Sequence, residues 1–309
     1  MRISVIIPTY NRPDILQECL ERLFEQNISP SEYEIIVVDD GSKPATRDLV
    51  KLMEGSSPCK FTYLYQENSG QGVARNRGIR QASGEVVLLI GDDILVNKDF
   101  LFEHLKFHNQ HPAENEAVLG FIEWDPRLNI GSLMEYLVNG SCVLGRYGGH
   151  QFAFEKLEGK TLANYNFFYT SNISLKTSLL KKFVFDETFS RYGWEDIELG
   201  YRLEKKANMK LYYNKNAFAY HFHQLDEEDL KKRMKMIGES AHIFHSKYPE
   251  LKKVPSWFKN FILTLYSSRP SLWLLESIKR LSKDKWCNYY YYALSQKYFL
   301  EGIKSGKKS

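Results

Sequence analysis

The four cysteines of this 309-residue chain, Cys19, Cys59, Cys142 and Cys287, are scattered, and no C-x-x-C spacing occurs. That excludes a disulfide framework and a cysteine zinc site, and it indicates a reducing compartment. No apolar run reaches the about 18 residues that a membrane-crossing helix requires. Met1 leads straight into strand-like sequence, so no signal peptide is expected and the expected location is cytoplasmic. No internal repeat is visible, which argues against a solenoid. The phosphate loop G-x-x-x-x-G-K-[ST] is missing. No Ser–His–Asp set and no reactive cysteine stand out, so covalent catalysis is not indicated. Negative charge is scarce at one end. From Leu251 onward there are twelve Lys and Arg against three acids, about +9, which leaves about −5 for the rest of a chain of net +4. The basic residues form a tail and not a groove interleaved with aromatics, so no nucleic-acid partner is expected.

What is present is an alternation of short apolar runs and amphipathic stretches, in a chain long enough to bury a real core. Ile3 to Ile7 is β-branched and is expected to stop at Pro8, after which Thr9, Tyr10, Asn11, Arg12 and Pro13 make a polar turn. Asp14 to Asn27 carries the stripe Ile15, Leu16, Cys19, Leu20, Leu23 and Phe24 at helical spacing. Glu34 to Val38 reads as a second strand, followed by Asp39, Asp40, Gly41 and Ser42. Thr46 to Met53 reads as helix, Phe61 to Tyr65 as strand, Asn68 to Gly72 as loop and Val73 to Ala82 as helix. Val86 to Ile90 is wholly apolar and bounded by Gly84 and Gly91, the pattern of a central parallel strand. Such alternation predicts an α/β fold with a doubly wound, mixed but mainly parallel sheet and helices on both faces. Right-handed crossovers then bring the turns PTYNR, DDGS and GDD to one sheet edge. Ligands bind at that edge in open α/β sheets.

Asp92 and Asp93 end the last of these strands. Two adjacent carboxylates there are costly unless they serve a cation or a proton transfer. Hard oxygen ligands suit Mg²⁺ or Mn²⁺. The alternative is a solvated turn with an Asp helix cap, and DDGS likewise reads as a type I turn when taken alone.

In combination, SVIIPTYNRPDILQECLERL, EIIVVDDGS and QENSGQGVARNRGIRQASGEVVLLIGDDI resemble the family 2 glycosyltransferases of the GT-A fold, over about the first hundred residues. The resemblance implies an inverting transferase that takes a sugar from a nucleoside-diphosphate donor, UDP favoured, with Mn²⁺ or Mg²⁺ as cofactor. The implied acceptor is a glycan or a lipid-linked molecule, in polysaccharide or cell-surface glycan synthesis. The implied nucleotide contacts are Pro8, Thr9, Tyr10, Arg12, Asp39, Asp40, Arg75 and Asp92, and the implied metal ligand is Asp93. The chain departs from the family's D-x-D-D pattern at Ile90.

Downstream, Phe167 to Phe189 and then GWEDIELGYRL also resemble the family. The resemblance implies a strand, a helix and a short turn, then Asp196 as catalytic base with Glu195 beside it, and acceptor contacts from Asn172 and Trp194. Taken alone, Glu195 and Asp196 complement a helix dipole, and Glu198 and Arg202 form a supporting i, i+4 pair. Lys210 to His223 reads as extended, which puts His221 and His223 on one side. The family places a metal-binding histidine there, so both are candidate ligands, His221 first.

Three segments are expected: 1–115, the nucleotide-sugar-binding half; 116–225, the acceptor-binding and catalytic half of the same domain; and 226–309, a C-terminal helical extension. Phe100 to Gln110 reads as a half-buried surface helix, with His104 and His108 a weak metal pair. Between Glu114 and Leu162 the pattern loosens around Gly140, Gly145, Gly148 and Gly149, with Trp124, Tyr136, Tyr147, Phe152 and Phe154 spread through it. Such aromatics suit the ring faces of a sugar acceptor, or equally an ordinary loop-rich region. Asp226 to Tyr248 reads as a charged helix, and Ser256 to Gly302 as helices dense in aromatic and basic residues, including Tyr289 to Tyr292. Residues 256–309 are either a peripheral membrane contact or a helical cap, and GKKS at the end reads as disordered. A nucleotidyltransferase of related fold would carry a Gly- and Lys/Arg-rich loop where PTYNR stands. A non-catalytic sugar- or lipid-binding protein would have lost Asp93 or Asp196.

Overall fold

The computed structural model describes residues 1–139, 151–189, 192–283 and 286–306. Gly140, Gly145, Gly148, Gly149, Tyr147, Cys142 and the last residues of GKKS lie outside them. Among the described residues, Cys19 and Cys59 are free thiols. The chain divides into two units. The first comprises Met1–Asp125, Leu157–Ser190 and Glu195–His223, and the second Pro126–Lys156, Arg191–Trp194 and Gln224–Ser309. Residues 126–156, expected with the acceptor-binding half, therefore group with the C-terminal extension.

The elements run β1 (Ile3–Thr9), α1 (Pro13–Phe24), β2 (Tyr33–Asp40), α2 (Pro44–Ser56), β3 (Lys60–Gln66), α3 (Gln71–Gln81) and β4 (Val86–Ile90). After these come β5 (Ile94–Val96), α4 (Phe100–Gln110), β6 (Glu116–Trp124) and α5 (Ser132–Asn139), the last in the second unit. The first unit is completed by β7 (Leu162–Ala163), β8 (Asn172–Lys176), α6 (Thr177–Lys182), α7 (Glu195–Ala207) and β9 (Lys210–His221). The sheet order is β3-β2-β1-β4-β8-β6-β9-β5, with β7 on β9. Pairing is parallel from β3 to β4. Beyond β4, β8 runs antiparallel to β4 and β6, β9 is parallel to β6, and β5 is antiparallel to β9. Every residue of β1, β2 and β4 is buried, as in a sheet covered on both faces.

Two local readings are corrected, and the expected half-buried helix at Phe100–Gln110 is found. The first strand does not stop at Pro8 but continues to Thr9. Pro8 lies past Ile6–Leu89, the last β1–β4 pair, so its missing N–H leaves no ladder bond unmade on that side. The stretch after Glu114 is not simply loose. It holds β6, whose pairing with β9 shifts register between Gly120 and Phe121. A side chain on Gly120 would collide with Asn172 and the Ala217 carbonyl, so this glycine marks a bulge in a central strand. His104 and His108 are buried and not metal-facing. His104 Nδ1 and His108 Nε2 lie 2.8 and 2.9 Å from Ser174 Oγ, and His104 Nε2 lies 2.9 Å from Asn172 Oδ1. Burial lowers their pKa values to about 4 and about 3, so both are neutral at pH 7.

The second unit adds α8 (Glu227–Lys247), α9 (Trp257–Tyr266), α10 (Arg269–Leu281) and α11 (Cys287–Gly306) to α5. Asp226 and Asp229 form a reciprocal capping box that starts α8. Leu133, Tyr136, Leu230, Met234, Leu263 and Tyr290–Tyr292 share one apolar cluster. The tyrosine run is thus core. Tyr290 donates to Glu227 Oε2 at 3.0 Å, and Tyr291 accepts from Lys279 at 2.7 Å. Among the described residues no helix is long and apolar enough to cross a membrane.

Helices α8 and α11 meet backbone to backbone at Gly238 and Gly302. A methyl group on Gly302 would collide with the Lys235 carbonyl oxygen. Gly302→Ala is therefore expected to destabilise the protein by about 1–3 kcal/mol through overpacking. Thermal unfolding should show a Tm lower by several degrees, and an unchanged Tm would mean that the two helices part freely.

Candidate active site

The ends of β1, β2 and β4 carry the three polar turns, and side chains lock them together. Asn11, at φ 56°, donates its backbone N–H to Ser42 Oγ at 2.8 Å, and its own Oδ1 accepts from Lys43 N at 2.8 Å. Thr9 donates to Asp92 Oδ2 at 2.8 Å, tying the end of β1 to the turn after β4. Arg12 Nη1 bridges both acids, 2.9 Å from Asp92 Oδ1 and 2.8 Å from Asp93 Oδ2. Burial works against its charge, but Asp93 and then Asp92 outweigh that and raise its pKa further, so it stays protonated. Tyr10 has half of its surface exposed.

Asp93 is the hub. His221 Nε2 and His223 Nδ1 lie 3.1 and 3.3 Å from its Oδ2. The ligand atoms of the three residues are all within 4.8 Å of one another. Register accounts for the convergence. β5 pairs with β9 so that Ile94 faces His221, and Phe222 N donates to the Asp93 carbonyl at 2.9 Å. The two histidines flank Phe222 and so share the Asp93 side. Trp124, at the end of β6, stacks on His221 with ring centroids 5.1 Å apart. Burial pushes the Asp93 carboxyl up, but His221, His223 and Arg12 hold it well below the usual carboxylate range. Burial and then the Asp93 charge raise Asp92 to about 6, against Arg12 and the Thr9 hydrogen bond.

A second acidic pair opens α7. Gly193 at φ 105° and Trp194 at φ 74° are both left-handed, a conformation that a tryptophan adopts only under tertiary constraint. Glu195 is buried, and its Oε1 lies 3.7 Å from Arg75 Nη1. Arg75, buried in α3, also donates to Gln71 Oε1 at 2.8 Å and lies 5.6 Å from the Phe185 ring centroid. Asp196 accepts from Ile197 N at 2.7 Å. Burial, and then the neighbouring Glu195, raise it to about 7. Glu198 and Arg202 form the expected pair, at 2.7 and 2.9 Å.

The expected residues thus fall into two groups: Thr9, Arg12, Asp92, Asp93, His221 and His223 at one point, and Arg75, Glu195 and Asp196 at another. Arg75, expected to contact the nucleotide, faces Glu195. Asp39 and Asp40 spend their carboxylates on the protein. Asp39 accepts from Ser42 N and from the Tyr63 hydroxyl, both at 2.7 Å. Asp40 accepts from Gln66 Nε2, Ser69 N and Gly70 N at 2.8–2.9 Å, so it closes the N-S-G loop. Asn172 was expected to contact the acceptor. The residue is fully buried, and its amide donates to the Ala217 and Phe121 carbonyls at 2.9 and 3.2 Å. Trp194 lies in the second unit, where its indole donates to the Ile237 carbonyl at 3.0 Å and lies under Lys253. Trp124, one of the aromatics expected to suit a sugar acceptor, ends β6 against His221.

A sheet that passes from parallel to antiparallel pairing beyond β4, with an acid–histidine cluster at its strand ends, fits the expected GT-A fold. Solved structures agree on the fold. A Pyrobaculum calidifontis mannosyltransferase in complex with GDP-Man and Mn²⁺ superposes with a TM-score of 0.67, at 18% identity, over 99% of this chain and 87% of that one. Staphylococcus aureus TarS 1-349 in complex with UDP-GlcNAc gives 0.56, at 19% identity, over 100% and 92%. Residues 4–187 match the Glycosyl transferase family 2 profile, and the chain belongs to that family. Validoxylamine A glucosyltransferase of Streptomyces hygroscopicus subsp. limoneus is 34% identical over 65% of this chain and 47% of its own length. The S. aureus poly(ribitol-phosphate) beta-N-acetylglucosaminyltransferase TarS is 34% identical over 37% and 20%. The chain spans about half the length of the first curated relatives it matches.

Proposed function

We propose that the chain catalyses an inverting, metal-assisted transfer of a sugar from a UDP-linked donor to a hydroxyl of a glycan or lipid-linked acceptor. The observation that carries the proposal is the convergence of His221 and His223 on Asp93. One carboxylate beside two imidazoles fits a first-row divalent cation such as Mn²⁺ more closely than Mg²⁺, which prefers an all-oxygen shell. Asp93, His221 and His223 would hold it, and when bound it supplies positive charge to the diphosphate leaving group. Support for a nucleotide-sugar donor comes from the neighbours solved with UDP-GlcNAc and with GDP-Man and Mn²⁺.

The remaining chemistry belongs to the chain's own residues. Thr9 and Arg12 hold Asp92 in one orientation for a ribose hydroxyl. Arg12, a third exposed, offers a permanent cation to the diphosphate. Asp196 takes the acceptor hydroxyl's proton as that oxygen attacks the anomeric carbon. One base and one displacement invert that centre. Arg75 and Glu195 fix the start of α7 and so the position of Asp196. PTYNR argues against a nucleotidyltransferase, and the retained Asp93 and Asp196 argue against a non-catalytic binder.

Calorimetry with Mn²⁺ present should show UDP binding more tightly than GDP, ADP or CDP. Tighter binding of GDP would move the donor to a guanosine-linked sugar. Equal binding of all four would remove the base from the recognition scheme.

A further inference from the structure

Helices α9 and α10 each carry two apolar stripes. The inner one faces the core of the second unit through Leu263, with Tyr266, Leu272 and Leu275 packed against the cluster. The outer one faces solvent. On α9, Trp257 is 81%, Phe261 52% and Leu265 58% exposed, and on α10, Trp273 is 71%, Leu274 54% and Leu281 87% exposed. The core needs only the first stripe. A monomeric soluble protein rarely shows water so many large apolar side chains on two neighbouring helices.

Charge identifies the partner. Lys259, Arg269, Arg280 and Lys283 are exposed on the same two helices or at their ends, Arg280 also pairing with Glu276. The segment from Leu251 carries about +9. A second copy of this surface would bring the same positive charge and repel. Trp, Phe and Leu flanked by Lys and Arg suit the boundary between acyl chains and headgroups. The helices are too short to span a bilayer, so they would lie on it. We infer that the outer faces of α9 and α10 dock on an anionic phospholipid surface. The aromatic side chains enter the headgroup–acyl boundary, and the four basic residues meet the phosphates.

Co-sedimentation of the full chain with phosphatidylcholine vesicles, with and without phosphatidylglycerol, tests this. Binding is expected only with phosphatidylglycerol, and it should weaken at least about tenfold between roughly 0.1 M and 0.5 M salt as the charges are screened. Trp257→Ser with Trp273→Ser should weaken it at least about tenfold further, with Tm and UDP binding unchanged because both indoles are exposed. The inference is overturned by absence of binding to phosphatidylglycerol vesicles at low salt, or by undiminished binding of the double variant. It is equally overturned if sedimentation velocity finds a dimer that the double variant dissociates while no vesicle binding occurs, which would make the surface a contact between copies.

Discussion

Asp93→Asn is expected to abolish metal-supported nucleotide binding and to bring turnover to background, with the largest effect of any single substitution in the site. Arg12, His221 and His223 all direct a nitrogen at one oxygen of this residue. The amide keeps the volume but removes the charge that those groups surround, and an amide oxygen is a poor anchor for a cation. Loss of a residue that merely supports a ligand commonly reduces metal affinity by about 10–100-fold, and Asp93 would be a ligand itself. Titration of Mn²⁺ into the variant, followed by UDP calorimetry, reads the loss without relying on turnover. Full turnover of the variant, or of the wild type in excess chelator, would remove Asp93 from this role.

Asp196→Asn is expected to lower kcat by ~10²–10⁴ while UDP binding survives, because a positioned base contributes about that much. The group suits the task. Burial and Glu195 raise it to about 7, which brings its proton affinity nearer to that of a hydroxyl. Only the deprotonated form accepts a proton, so kcat should climb about tenfold per pH unit below that value and level off above it. Glu195→Gln removes the neighbouring charge and should move the rising limb to lower pH with a smaller fall in rate. If Glu195→Gln proves the more damaging change, the base is Glu195. If neither variant changes turnover tenfold, the pair only caps α7. Proton NMR of the product gives an independent check, since retention at the anomeric carbon is incompatible with a single displacement.

Much of this was legible along the chain. β4 and α4 fall on the expected residues, and the other early strands and helices differ only at their ends, because periods of 2 and 3.6 are written in local order. Asp92–Asp93 and Glu195–Asp196 were visible as acids ending an apolar run or opening a helix. β6 was less legible. Its first half, Ala117–Gly120, is buried on both faces and shows no alternation, and Gly120 interrupts it for a reason that exists only where Asn172 and Ala217 close on it.

What local order determined, then, is the type of each early element and the chemistry available at its end. What the tertiary structure alone decided is which groups meet. Asp93 and His221 are far apart in sequence, and their nitrogen–oxygen distance of 3.1 Å follows from the antiparallel register of β5 on β9. The meeting of Arg75 on α3 with Glu195 on α7, and of Asp40 at the end of β2 with the N-S-G loop, is likewise tertiary. A side chain's chemistry travels with its residue. Its partner is set by strand register and helix packing, which depend on every segment of the sheet at once.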